Sequence, residues 1–335
     1  MTTRKNGRQD ARAMKKPECT QTCFHLAQTV SCESRMTVPL LYQAGTSCKE
    51  MKKALIIGGS RFVGPLVMAE LLKKNWDITV FNRGQASSSY PPPVRHIVGD
   101  RNRGFACLDH YDIVIDMCAY TGAQTERALQ ELSFDLFIHL GTAAAYQKSE
   151  TFPLTEYSPL GPWPLWGAYN TGKVQCENAL KKSGKPYASL RPVYILGKKN
   201  YIPRESFIYS LLKQGRPITI PGNGEACVQF VYADAVAATL ALLAETKQEG
   251  VFNCAGDDYI TLKGLVQEMA IIAGTEPFIR FNADADGDRF RQEEFPFANE
   301  NFTCSNEKVK SVGASFMPLR TFLRHDYETY YKNNT

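Results

Sequence analysis

Residues 52–64, KKALIIGGSRFVG, constrain the fold more than any other stretch of the chain. A short apolar run, Ala54-Leu55-Ile56-Ile57, feeds straight into a glycine turn, and from Phe62 to Lys74 apolar side chains recur at helical spacing. Strand, glycine turn and helix in immediate succession open a dinucleotide-binding βαβ unit. Gly58 and Gly59 allow the tight turn, and Gly64 lets the helix approach its strand. The segment Gly58-Gly59-Ser60-Arg61-Phe62-Val63-Gly64 is therefore the candidate pyrophosphate cradle, with free N–H groups and the positive dipole end of the helix facing the anion.

The rest of the unit follows at the required spacing. Asp77–Phe81 is a second β-rich run ending in Asn82-Arg83-Gly84, where such a unit meets the adenosine ribose. An acidic residue there favours NAD. Asn82, Arg83 and the loop's Arg61 instead supply two guanidinium groups and no carboxylate, which leans toward the 2′-phosphate of NADP; solvated surface roles are the alternative. A Ser/Pro loop, 87–93, precedes a third strand, Val94–Val98, closed by Gly99-Asp100-Arg101 at the adenine side. Tyr111–Asp116 is a fourth strand running into Met117-Cys118-Ala119-Tyr120, and Phe134–Leu140 a fifth. This alternation predicts an α/β fold, a doubly wound parallel sheet with ligands at the strands' carboxyl ends. Asn82, Arg83, Asp100, Arg101, Cys118, Ala119 and Tyr120 all fall at such ends.

The fifth strand ends in Gly141-Thr142-Ala143-Ala144-Ala145-Tyr146, which places a hydroxyl, Thr142, in the ligand crevice. Further on, WGAYNTGK opens a helix in which Tyr169 and Lys173, four residues apart, share one face. A phenol is a poor base at neutral pH, and an adjacent ammonium stabilises its phenolate. Thr142 would hold a substrate oxygen, Tyr169 would move the proton, and a nicotinamide would exchange the hydride. The pair alone is weak, since an exposed helix face produces it by chance. The order of glycine turn, strand-end hydroxyl and Y-x-x-x-K carries the argument.

At these residues the chain resembles the extended short-chain dehydrogenase/reductases, the epimerase/dehydratase group of nucleotide-sugar enzymes. GGSRFVG resembles the glycine motif, GDR the adenine-side motif, YNTGK the YxxxK, and LGTAAAY puts Thr142 in the catalytic serine position. LRPVYILG, IPGNGEACVQFVYADAVA and VFNCAGDDYITLKGLV are similar to later segments, so the likeness runs from Met51 to about Tyr331. Its nearest flavour is a GG-x-RF-x-G branch that includes chloroplast stem-loop-binding proteins acting on RNA. The resemblance implies an NAD(P)-dependent enzyme acting on a sugar-like small molecule, and a homodimer built on a helix pair. Three residues depart from the pattern: Arg61 for the middle glycine, Asn82 for the ribose acid, and Gln229 where nucleotide-sugar epimerases carry an arginine for the substrate pyrophosphate. The last argues against a nucleotide-diphosphate sugar.

Composition narrows the alternatives. Of a net charge of +5 in 335 residues, +4 lies in residues 1–50, which leaves little for a polyanion-binding surface. No apolar run spans a bilayer, and the ten widely spaced cysteines point to a reducing, cytoplasmic setting. Residues 1–50 read as a disordered extension, with Met51 as a natural start. Cys19, Cys23, His25 and Cys32 in it match no paired zinc spacing.

Residues 51–185 are expected to form the dinucleotide domain and 186–335 a substrate portion interleaved with it. There, 198–206 has the composition of a lid, Phe207–Gln214 reads as a short helix, and Tyr146, Arg191, Arg204 and Arg216 are candidates for the substrate. The stretch NADADGDRFRQE, 282–293, partly fits a calcium loop, but Asn282 in first place and two arginines favour an acidic surface turn, and no metal site is expected.

Overall fold

The computed structural model describes residues 51–86, 90–105 and 108–335. The N-terminal extension, its cysteine–histidine set and Ser87–Ser89 of the Ser/Pro loop lie outside these residues.

Seven strands make one parallel sheet: β1 (Lys53–Ile57), β2 (Asp77–Asn82), β3 (Arg95–Val98), β4 (Tyr111–Asp116), β5 (Phe134–Leu140), β6 (Tyr187–Pro192) and, later in the chain, a strand at Gly250–Cys254. From one edge the order is Gly250–Cys254, β6, β5, β4, β1, β2, β3, so the winding reverses between β1 and β4. That reversal opens a crevice at the strands' carboxyl ends.

Alternation along each strand builds two cores. Ala54, Ile56, Ile78, Ile113 and Ile138 pack with α1 (Val63–Lys73) on one face. Leu55, Ile57, Val114 and Phe137 pack with α2 (Gly122–Glu131) and α3 (Gly167–Ser183) on the other. Burial on both faces explains why β1 and β4 read as continuous apolar runs. β3 is an edge strand, largely exposed, and its pattern in the sequence is correspondingly weak.

After β6 the chain adds smaller parts. β7 (Tyr194–Leu196) is followed by α4 (Glu205–Lys213), β8 (Ile218–Pro221), β9 (Cys227–Tyr232) and α5 (Ala233–Thr246), which completes the layer beside α1. Beyond the main-sheet strand β10 (Gly250–Cys254) come β11 (Tyr259–Thr261), α6 (Leu262–Ala273), β12 (Ile279–Asn282), α7 (Glu307–Ser311) and α8 (Leu319–Asp326). β11, β9 and β7 form a three-stranded sheet, and β12 pairs with β8.

Several elements differ from the sequence reading. β7 and β11 are three residues long and pair with the unassigned β9, too short for a pattern of their own. α4 runs Glu205–Lys213 and so starts two residues before the expected Phe207, with Glu205 buried in its first turn. α8 ends at Asp326 and continues as a π-helical turn, Tyr327–Tyr331, whose Tyr327 and Tyr331 rings pack on Tyr209. Ala283–Ala285 and Gly287–Arg289 are short 3-10 turns, and the Asp286 carboxylate accepts from the backbone N–H of Gly287.

Candidate active site

The glycine loop is shaped by backbone proximity. A Cβ on Gly64 would lie 2.0 Å from the Gly59 carbonyl oxygen, so only glycine lets α1 start against the turn. Arg61 keeps a negative φ, and the positive φ falls instead on Phe62, at 52°. This is a strained conformation for an aromatic residue. Phe62 caps α1 without a side-chain hydrogen bond, and no acidic residue occupies the first turn. Within that turn Gly64 N–H donates to the Arg61 carbonyl at 3.0 Å and Pro65 carries no N–H, which leaves the Val63 amide and the dipole end of the helix for an anion. These features fit the pyrophosphate of a dinucleotide.

The adenosine end is a hydrogen-bonded network that sequence reading missed. The Asn82 amide donates to the Gly58 carbonyl at 3.3 Å and to Tyr90 Oη at 2.7 Å. Its oxygen accepts from Gly84 N–H at 2.9 Å and from His96 Nε2 at 3.0 Å. Ser60 Oγ lies 3.4 Å from Tyr90 Oη. Asn82, expected to meet the ribose, instead spends its amide holding β2 to the glycine loop. Arg61 and Arg83 are exposed, and neither joins an ion pair among the described residues.

Arg101 departs from its expected role. It is buried and grips Asp116 with two hydrogen bonds of 2.6 and 2.7 Å, with a third to the Gln124 carbonyl. Burial opposes its charge, but Asp116 more than compensates and raises its pKa. Its guanidinium is committed to the core. Asp100 accepts from Asn102 N–H in a turn after β3. Cys118 and buried Ala119 follow β4. Tyr120 is half exposed, and burial, then Tyr201 and Tyr169, pushes its phenol up to about 12.

Two pins join α3, which carries Tyr169 and Lys173, to β5 and the turn after it, which carries Thr142. Lys173 Nζ donates to the Leu140 carbonyl at 2.9 Å. Asn170 Nδ2 donates to the carbonyls of Ala144, at 2.7 Å, and Gly161, at 2.8 Å. Gly172 brings α3 onto the exit of β4, where a Cβ would lie 2.0 Å from the Tyr120 carbonyl oxygen. Lys173 is buried, with its ammonium 5.4 Å from the Tyr120 ring centroid and 5.9 Å from that of Tyr169. It has three N–H donors and spends one on Leu140, leaving two for a ligand. Thr142 is buried, its Oγ1 accepting from Ala144 N–H at 3.1 Å, while Tyr169 is 41% exposed. A buried cation thus stands beside an accessible phenol.

His139 pairs in register with Asp116 on one side and Ser189 on the other. Burial, then Lys173, Arg101 and Arg191, holds its pKa well below the usual histidine value, so it stays neutral.

Of the substrate candidates, Tyr146 and Arg191 lie inside. Tyr146 is fully buried and donates to Asn253 Oδ1 at 2.6 Å, and Arg191 pairs with Glu177 through 2.9 and 3.0 Å bonds and donates to Tyr146. Both were expected to face substrate; their polar atoms are used within the fold. Arg216 is exposed and donates to Gln214 Oε1. Gln229 is buried, donating to the Gly256 carbonyl and accepting from Cys304 N–H, so no charge stands there. Arg204 alone of these is half-buried with no ion pair among the described residues.

Beside it lies a carboxyl that no sequence signal marked. Glu205 is buried, accepts from Gly197 N–H, and is pushed up to about 7 by desolvation. Asp326, also buried and raised by desolvation, accepts from Lys198 N–H at 3.2 Å. The two hold the start of the 198–204 loop, whose Tyr201 meets Phe62 edge-on at 6.2 Å.

Comparison with known proteins agrees with the fold. The model of the NAD dependent epimerase/dehydratase family matches residues 125–255. The chloroplast stem-loop binding protein of 41 kDa b of Arabidopsis thaliana is 30% identical over 288 residues, 79% of this chain and 75% of that one. The chain belongs to the NAD-dependent epimerase/dehydratase family. A UDP-N-acetyl-alpha-D-glucosaminuronate decarboxylase of Bacillus cytotoxicus is 25% identical over 65% of this member and 79% of its own length. Among solved structures, the family fold is shared with the UDP-glucuronic acid 4-epimerase of Bacillus cereus in complex with NAD. Its TM-score is 0.69 at 18% identity, over 84% of this chain and 98% of that one. The dTDP-glucose 4,6-dehydratase of Bacillus anthracis, also with NAD, gives 0.69 at 16%, over 84% and 97%.

Proposed function

We propose that this epimerase/dehydratase-family protein acts as an epimerase, dehydratase or reductase on a hydroxyl or carbonyl of a sugar-like substrate. The observation that supports this reading is the double pinning of α3 to β5 and the turn after it, with the Lys173 ammonium 5.9 Å from the Tyr169 ring centroid. Residues 186–335 supply the substrate portion. A bound nicotinamide supplies reversible hydride exchange. Tyr169 Oη takes or returns the proton of the reacting oxygen, Thr142 Oγ1 orients that oxygen, and Lys173 Nζ holds the nicotinamide ribose and places positive charge beside the phenol. Gly58–Gly64 cradle the pyrophosphate.

NADP is the favoured cofactor on this reading. Asn82 is bound up internally, no carboxylate reaches the end of β2, and Arg61 and Arg83 are two exposed guanidinium groups without ion pairs among the described residues. Cys118, Cys176, Cys227, Cys254 and Cys304 are free thiols, which fits a reducing compartment such as the cytoplasm; the Arabidopsis relative is chloroplastic by its name. Among the described residues no helix is long and apolar enough to cross a membrane. A homodimer through α2 and α3 belongs to the same reading, since these packed helices form one outer layer of the sheet.

Mass spectrometry of co-purified cofactor, followed by a substrate screen at the nicotinamide absorbance, tests the reading. Loss of turnover in Tyr169→Phe with cofactor binding intact supports it; full turnover in that variant removes it. The name of the Arabidopsis relative favours a second reading, a non-catalytic RNA-binding protein on the same fold. RNA binding that weakens steeply with salt, together with no nicotinamide chemistry, would establish it.

A further inference from the structure

Arg204 stacks on an aromatic wall. Its guanidinium carbon lies 5.3 Å from the Tyr194 ring centroid and 5.9 Å from that of Phe297. Tyr194 also meets Trp166, centroids 5.6 Å apart, and Trp166 immediately precedes α3, which carries Tyr169. The guanidinium donates to the Ile195 carbonyl at 2.6 Å. Its Nε is buried without an acceptor, as is the indole nitrogen of Trp166. The nearest acid in sequence, Glu205, is turned to Gly197 N–H. Desolvation lowers the pKa of Arg204, and Tyr194, then Glu205, Tyr201 and Tyr169, oppose this from a distance.

A guanidinium out of water with no carboxylate in ion-pair contact among the described residues is costly, and arginine's planar fork is the side chain suited to carboxylate and phosphate oxygens. In the same half of the molecule, Gln229 offers no charge because both ends of its amide are used inside. We propose that Arg204 is a specificity-determining residue that receives one anionic group of the substrate, a carboxylate or a phosphate monoester on a sugar-like body, while Tyr169 and Thr142 engage its reacting oxygen. This rests on the reading of Tyr169 as substrate-facing and goes beyond it by naming the substrate class. Aromatic contact beneath the guanidinium fixes its plane, and the N–H donors left over set the anion's place.

The test titrates the full-length protein, saturated with NADP, with glucuronate, glucose 6-phosphate and glucose, following tryptophan fluorescence, which Trp166 reports from the wall itself. At least one charged sugar is expected to bind roughly tenfold or more tighter than glucose, the size of one charge-assisted contact. Preference for glucuronate assigns a carboxylate and preference for glucose 6-phosphate a phosphate. In Arg204→Gln the gap closes to about twofold or less. Equal affinities in the parent protein, or a gap that survives Arg204→Gln, overturn the proposal. Because an unpaired cation does not support folding, Arg204→Met is expected to melt at or slightly above the parent temperature. A fall of about 5 °C or more, or failure of these variants to fold, assigns Arg204 to the core and also overturns it. Tyr169→Phe separates the two readings: it abolishes turnover and keeps the charged-sugar preference, whereas full turnover in Tyr169→Phe ends the catalytic reading and leaves the preference standing.

Discussion

Arg101 and Arg191, inside the Rossmann core, and Arg204, at the margin of the 198–204 loop, meet burial in opposite ways. Asp116 grips Arg101 with two bonds, and Glu177 does the same for Arg191. Arg204 has a backbone carbonyl, two aromatic faces and a nitrogen without a partner. The Nε of Arg101 is likewise buried without a partner, so the ion pair makes the difference. Buried guanidinium groups held by a carboxylate belong to the architecture, and the one with no ion pair among the described residues marks where the fold expects something from outside.

Breaking a satisfied pair should have the largest effect. Glu177→Ala leaves Arg191 buried and uncompensated and is expected to cost about 3–5 kcal/mol, read from urea denaturation. A loss under about 1 kcal/mol would mean that the pairs contribute no more than surface ions do.

Glu205 extends the contrast to an acid. Its folded carboxyl, at about 7, lies above the ordinary 4.5, so the folded chain keeps a proton that the unfolded chain has lost. Its contribution is complete below about 4.5 and disappears as the pH climbs through about 7. Glu205→Gln should match the parent at about pH 4 and exceed it at about pH 8 by roughly 3 kcal/mol, an order-of-magnitude figure from the size of the shift. Parallel stability curves for the two proteins would refute the buried carboxyl.

The smallest effect concerns the exposed pair at the adenosine end. Arg61→Ala and Arg83→Ala are each expected to weaken NADP roughly tenfold, about 1.4 kcal/mol, and to leave NAD within about twofold in calorimetric titration. Equal losses for both cofactors would make these arginines general surface charges.

What the sequence reveals and what it hides follow the same division. The path from Ala54 to Lys74 and the Tyr169–Lys173 pair are legible because each is local: consecutive residues and one helical spacing carry the information. Thr142 is legible because a strand's end can be counted. Arg101, Arg191, Tyr146 and Asn82 look available in the sequence because their partners Asp116, Glu177, Asn253 and His96 are joined to them only by folding. Glu205 carries no local mark at all, since an acidic residue in a helix's first turn is ordinary. Only Asp326 and Gly197 reveal that it is buried at the foot of a loop.

The central claim is that Tyr169, backed by Lys173 and Thr142, moves the proton that accompanies hydride exchange. The most direct measurement mixes parent protein and Tyr169→Phe with NADP and a panel of sugar acids and sugar phosphates in stopped flow, following the reduced-nicotinamide band. The account predicts a rise in the parent protein and one slower by at least about 100-fold in Tyr169→Phe, with cofactor affinity unchanged. Equal rates in the two proteins would contradict it.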